Sequence, residues 1–431
     1  MDQKSKIGVK NWIMIVILGF AGQLCWAVEN NTFATYALAS TGNAAVVTWM
    51  VALSALSTTI ATFISGTLGD RLGKRKKLIS IGLILWGVFT VVFGLADFIP
   101  KNRVTFISVY VVLMDCVMSF FGSIGYSGGV QPWTTDISDE TNRGSVATVL
   151  AALVIVANIV VQGLQGMIVD AVGFMPIFVV IGAVVTVIGI ITIFTIKDAE
   201  NLKPSVTHKS FFGQLFSAFN FKETFRNKKL LWVLVTICVY TCGFNIYMSY
   251  SSSYLYYYFG EYSGVALTKT NASLIQGGGM LVATALSFLF MKPINRGKEA
   301  LITAISVILS VVSLVLLSVS KSIPMLAIFI TLSALGYIMN LQATTAWFKN
   351  LCPENMRGSV EGVKQIFYVL VPMIVGPLLA LLVINALQVT VIVDGVEIQA
   401  PTNTLFLVAG LFTVLTFVPL WFACRKGKEN G

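Results

Sequence analysis

Charge is scarce in this 431-residue chain: Asp, Glu, Lys and Arg together make up 11% of it. A soluble domain carries roughly a quarter charged residues, so too little charge remains to cover a water-facing surface of ordinary composition. Histidine is scarcer still, with a single residue, His208, in a polar segment. That argues against His-based catalysis or metal binding within the apolar stretches. The six cysteines (Cys25, Cys116, Cys238, Cys242, Cys352 and Cys424) lie mostly inside apolar runs, and none forms a C-x-x-C pair. The Cys238/Cys242 spacing is that of helix packing, so neither a disulfide framework nor a zinc site is expected. No nucleophile–base pair or ligand set stands out, which argues against an enzyme. The absence of a large soluble output domain argues against a sensor. No cofactor is expected beyond a coupling ion.

What is abundant is hydrocarbon. Apolar residues make up 56% of the chain and the mean hydropathy is +0.84. A membrane helix needs about 20 mainly apolar residues at 1.5 Å rise each. Twelve such runs are read at 12–36, 44–69, 78–98, 104–130, 144–170, 173–196, 230–259, 270–291, 299–319, 323–348, 357–387 and 403–424. The expected fold is therefore all-α and polytopic, with twelve transmembrane helices in two pseudo-symmetric six-helix bundles. A first bundle over 1–196, a basic linker over 197–229 and a second bundle over 230–431 are expected. The first apolar run lacks a small-x-small exit and continues as a full span, so no cleaved leader is expected.

Lys and Arg set the orientation. With the N-terminus inside, 24 of the 29 basic residues fall on inner segments and four (Lys101, Arg103, Lys269 and Lys321) on outer loops, with Lys364 inside span eleven. This asymmetry implies cytoplasmic termini in a cell membrane, and it accounts for the net charge of +10 without nucleic acid. The 197–229 segment is basic and interleaved with Phe, as in an amphipathic helix lying on the inner surface. The last outer loop sets β-branched residues around Asp394-Gly395, which predicts a hairpin.

The two halves also share a motif. Arg143-Gly144-Ser145-Val146 and Arg357-Gly358-Ser359-Val360 lie 214 residues apart, after spans four and ten. Parallel repeats of this kind place a solute path at their interface. Between spans two and three the chain reads Gly66-Thr67-Leu68-Gly69-Asp70-Arg71-Leu72-Gly73-Lys74-Arg75-Lys76, with a degenerate copy at Lys292–Lys298. This stretch closely resembles the G-x-x-x-D-R-x-G-[KR]-[KR] signature of the major facilitator superfamily. The resemblance implies alternating access, with Asp70, Arg71 and Gly73 in a gate at the inner helix ends and Arg143 and Arg357 as the matching loop arginines. The alternative for the basic run is that it only obeys the charge asymmetry. Gln131-Pro132-Trp133 with Thr134-Thr135-Asp136, and the PMIVGP run from Pro372 to Pro377, are similar to the glycoside–pentoside–hexuronide:cation symporters and sucrose-type carriers. That branch implies carriage of a neutral sugar. Span two has no acid, unlike sodium-coupled melibiose-type members, so a proton is the expected coupling ion rather than sodium.

Two acids fall within spans, and such residues are costly enough to need a reason. Glu29 of span one and Asp115 of span four come out at about 26 and 24 Å above the inner face at 1.5 Å per residue, so they can share a coupling site. Two carboxylates in a low-dielectric pocket favour retention of one proton. The plain alternatives are a solvated Glu29 near the outer interface and an Asp115 that bonds a neighbouring helix. Polar and aromatic stripes supply solute-site candidates: Gln23, Trp26 and Asn30; Asn158, Gln162 and Gln165; Asn245, Tyr247, Tyr250 and Tyr254; Tyr337, Asn340 and Trp347. Amides and hydroxyls bond sugar hydroxyls while aromatic faces stack on the ring. Tyr at outer helix ends also forms interfacial belts, the reading given to Tyr256 to Tyr258. Lys364 either pairs with Glu361 one turn away or helps close the gate. The partners expected are a small solute and the bilayer, with the chain acting as a monomer. Proton-coupled symport of a neutral sugar or glycoside leads, with export of a drug or amphiphile, or lipid transport, as the alternative.

Overall fold

A computed structural model describes residues 7–138, 142–198, 204, 225–352, 362–393 and 395–425. Among the described residues, twelve helices are long and apolar enough to cross a membrane. In the first half they are α1 (Val9–Thr41), α2 (Ala44–Leu72), α3 (Lys76–Phe98), α4 (Val104–Asp136), α5 (Gly144–Val172) and α6 (Met175–Thr195). In the second half they are α7 (Lys228–Ser263), α8 (Lys269–Asn295), α9 (Glu299–Ser318), α10 (Ile323–Leu351), α11 (Gly362–Leu387) and α12 (Thr404–Cys424). The chain divides into two compact units, Met1–Phe216 and Ser217–Gly431. The amphipathic helix expected within 197–229 falls largely outside the described residues.

Several helices outrun the apolar stretches that announce them. α4 continues to Asp136 and α7 to Ser263. At 1.5 Å per residue a 33-residue helix is about 50 Å long against a hydrocarbon core of about 30 Å. The polar ends therefore stand clear of the lipid, where hydropathy no longer marks them.

Within each unit the helices pack in one pattern. In the first, α1 lies on α5, α2 on α4, and α3 on both α4 and α6; in the second, α7 lies on α11, α8 on α10, and α9 on both α10 and α12. Adding six to each label of the first set gives the second. The repeat seen in the RGSV loops is thus a repeat of packing.

Lipid offers helices no hydrophobic reason to associate, so small residues and polar side chains join them. Gly87 of α3 faces the Gly182 carbonyl of α6, and Gly182 faces the Gly87 carbonyl in return. In the second unit α9 turns Thr303, Ser306, Ser310 and Ser313 inward, and Asn340 of α10 donates to Ser306 Oγ at 3.0 Å. Aromatic rings fill the remaining volume, with Phe33 stacked on Phe93 at 4.0 Å and Phe178 edge-on at 4.9 Å. The outer faces keep their apolar side chains, Phe194 and Leu289 among them, as contact with lipid requires.

The predicted hairpin is present. β1 (Thr390–Val393) pairs antiparallel with β2 (Val396–Gln399), Val393 opposite Val396, which leaves two residues for the turn. Gly395 has φ of 78°, as such a turn demands.

Gly87→Ala should crowd backbone against backbone at the α3–α6 crossing and cost about 1–3 kcal/mol, the usual range for overpacking. Gly66→Ala, where an added Cβ meets nothing within 4 Å, should be neutral or slightly stabilising. Thermal unfolding of the two variants in detergent checks the contrast, and equal losses would refute the contact.

Candidate functional site

The α1 backbone changes character at the first intramembrane acid. Val9–Val28 is α-helical, Glu29–Phe33 forms one π-turn, and α-helix resumes at Ala34. A π-turn passes over the usual i−4 carbonyls. Here Asn30 Nδ2 donates to the Trp26 carbonyl and Asn31 Nδ2 to the Ala27 carbonyl, both at 2.7 Å. Both carboxamides thus bond back onto the preceding turn of their own helix. Asn30, expected as a solute ligand, is exposed and spends its amide donor this way.

Glu29 is buried at 8% exposure and Asp115 at 1%. Ser119 Oγ of α4 donates to Glu29 Oε1 at 2.7 Å. Asp115 sits one helical turn before Ser119, close enough for the two carboxyls to interact electrostatically, with Ser54 of α2 beside it. The solvated Glu29 considered from the sequence is therefore not what is found. Glu29 Oε2, Asp115 Oδ1 and Ser123 Oγ are buried without a hydrogen-bond partner. Among the described residues the two ion pairs found both involve Arg75, so neither carboxyl is matched by a cation. No group of three His, Cys, Asp or Glu able to hold a metal occurs among the described residues.

The other expected solute residues of the first unit have partners of their own or are half-buried. Gln23 donates to Tyr126 OH at 2.9 Å, and the Trp26 ring meets Trp86 at 5.0 Å. On α5, Gln165 accepts from Thr32 at 2.8 Å, Asn158 donates to the Val154 carbonyl at 2.9 Å, and Gln162 is half-buried.

The second unit spends most of its candidates internally. Asn245 donates to the Thr241 carbonyl at 2.9 Å and lies against Gly376 of α11. Asn340 is bonded to Ser306, and Trp347 packs in an apolar core with Leu230, Leu234 and Leu420. The tyrosines of α7 do not form one simple stripe, because the helix breaks at Ser249–Tyr250 and passes through a π-turn at Tyr254–Tyr258. Tyr247 and Tyr254 still meet at Phe406, at 5.6 and 4.8 Å, and Tyr250 is buried. Tyr247 OH lies 3.1 Å from Ser333 Oγ. Tyr337 stacks on Phe244 at 4.0 Å and its hydroxyl lies 3.4 Å from that of Tyr368. Tyr368, Phe244 and Ser54 do not stand out in the sequence, because they carry no charge and sit among residues of similar hydropathy.

At the basic end of the first unit Asp70 accepts from Arg75 Nη2 at 2.6 Å, and Asp136 accepts from Arg75 Nε at 3.1 Å. The guanidinium of Arg75 joins the ends of α2 and α4. Gly73 helps to bring it there. It closes α2 in the left-handed region at φ 59°, ψ 31°, its N–H donating to the Gly69 carbonyl, and this reversal turns Arg75 back towards Asp70. Arg75 is 7% exposed against 18% for Asp136 and 53% for Asp70, so it forms the buried hub. In the second unit the corresponding joint, from the start of α9 to the end of α10, is made by Asn350 donating to Glu299 at 2.6 Å. Arg143 begins the helix of α5, but its side chain lies outside what is described, as do Arg357 and Glu361. Lys364 places its ammonium over the Phe348 ring at 4.9 Å.

The sequence matches the family described as Major Facilitator Superfamily over residues 12–363 and 262–430. It is 26% identical over 332 residues to the quinolone resistance protein NorA of Staphylococcus aureus (strain MRSA252), covering 77% of this chain and 79% of that one. Among solved structures, a variant of the nucleoside transporter NupG aligns with TM-score 0.77 at 11% identity over 96% of this chain and 99% of that one. The xylose transporter XylE from E. coli aligns with TM-score 0.69 at 11% identity, over 96% and 99%. At such identities the structural likeness speaks to the fold alone.

If Arg75 is the hub, Arg75→Ala should lower stability by roughly 2–3 kcal/mol, the range for hydrogen bonds to charged groups. Arg75→Lys, which keeps the charge but loses the fork that reaches two carboxylates, should recover only part of that loss. Melting temperatures of the two purified variants test this, and an unchanged Arg75→Ala protein would remove Arg75 as the hub.

Proposed function

The chain belongs to the Major Facilitator Superfamily, and from that we propose that it is a proton-coupled carrier of a small uncharged solute, a sugar or glycoside, working by alternating access. The observation that carries the reading is the Glu29–Asp115 pair. An ionised Asp at mid-membrane costs at least about 2.5 kcal/mol, and a second acid beside it adds repulsion. One proton relieves both penalties, and its loss restores them. A carboxyl pair that is loaded on one side of the membrane and emptied on the other therefore stores the gradient in its protonation. Ser119 occupies one Glu29 oxygen and leaves the other unpartnered, as a proton acceptor needs. The absence of acid from the 44–69 stretch of α2 speaks against sodium.

An uncharged solute fits a membrane interior whose basic residues lie almost wholly in the loops. Half-buried aromatic rings that can stack on a solute are Trp26, Phe244 and Tyr337. With the basic end on the cytoplasmic side, the Arg75 hub is the inner gate of a cell-membrane protein with both termini inside.

A second reading rests on a separate observation: the curated relatives matched by sequence are quinolone resistance proteins. The same carboxyl pair and aromatic faces would serve export of an amphiphilic or planar aromatic compound in exchange for protons.

Proteoliposomes with an imposed pH gradient separate the two readings. Accumulation of a labelled sugar supports the first, and expulsion of a lipophilic cation with no sugar uptake replaces it with the second. Under either, Asp115→Asn is expected to abolish gradient-driven accumulation while solute exchange across the membrane persists. Full accumulation by that variant would remove Asp115 from coupling.

A further inference from the structure

The start of α3 lacks a cap of its own. Its N-cap position is held by Arg75, whose side chain makes no capping bond, where Ser, Thr, Asp or Asn would ordinarily accept from the first free N–H groups. The missing acceptor comes from the far end of the unit. Asp198, three residues beyond α6, accepts from Arg75 N at 2.6 Å and from Lys76 N at 2.8 Å. The residues around it are held as well. Trp133 Nε1 of α4 donates to the Lys197 carbonyl at 3.1 Å, and Ile196 is buried. A carboxylate on two N–H groups at a helix start is also favoured by the helix dipole.

This arrangement frees the Arg75 side chain for other work. Because the cap is supplied in trans, the N-cap position can hold a long cation that reaches Asp70 and Asp136. From this geometry we infer that Asp198 is a positioning residue of the inner gate, fixing the backbone from which Arg75 spans α2 and α4. The inference rests on the transporter reading only in treating the Arg75 cluster as a gate. It gives the stretch where the chain leaves the first bundle a mechanical role, since movement of Asp198 would move the hub.

The test needs no knowledge of the solute. In a protein freed of its native cysteines, Ser138→Cys, a buried position two residues past Asp136, reports opening of this end through its rate of labelling by a maleimide. Asp198→Ala is expected to raise that rate about fivefold, the effect of losing one helix cap on an opening equilibrium. Asp198→Asn, which keeps an acceptor oxygen, should label near the parent rate. In an Arg75→Ala background the labelling effect of Asp198→Ala should vanish, while its lowering of the melting temperature persists because the capped groups are backbone. The same rise in both backgrounds would reduce Asp198 to a helix cap, and no rise in either would overturn the inference. A wild-type protein that carries no sugar would refute the solute assignment and leave this result standing.

Discussion

In hydrocarbon a polar group has no water to fall back on, and its partner must come from the protein itself. Most of the observed arrangement follows from that constraint. Asn30 and Asn31 turn back onto their own helix, Asn340 reaches Ser306, and Thr32 reaches Gln165. The polar side chains that stand out in the sequence are for the most part already occupied. Against that background the unpartnered oxygens of Glu29 and Asp115 are conspicuous. They belong to a small set of buried polar atoms without a partner, and within that set they are the two that belong to carboxyl groups.

The same rule governs the helix ends. Where α2 and α4 finish and α3 begins, three carboxylates converge on one residue, two on the Arg75 side chain and one on its backbone. The second unit makes its equivalent joint from Glu299 and Asn350. The repeat has preserved the position of the join while changing its chemistry, so the two units differ in electrostatics more than in packing. A hub of three acids and one cation is sensitive to its surroundings, whereas a single amide–carboxylate bond is less so. This makes the first unit the better place for a switch.

How much of this was legible depends on the range of the interaction. An apolar run of about 20 residues has almost no other stable fate, and the spans, the repeat and the hairpin turn at Gly395 could be read directly. Helical rise put Glu29 and Asp115 at similar heights, and the two carboxyls do lie close enough to interact. The identity of the hub could not be read in this way. Asp70 and Arg71 are neighbours in the signature, but the left-handed turn at Gly73 brings Arg75 to the aspartate, and no spacing argument reports that reversal. Asp198 was hidden for a similar reason, since its partners are 122 and 123 residues away. The tyrosine stripe of α7 failed where the 3.6-residue period itself fails, at the break and the π-turn.

The π-turn at Glu29–Phe33 also changes what a substitution there means. Two side-chain amides bond back to the turn before it, beside the backbone bonds. An exchange at Asn30 would look, on a list of variants, like damage to a binding residue. Its physical effect would be to remove a tie from the turn that carries Glu29. The aim of that carboxyl would change with no contact to a solute lost.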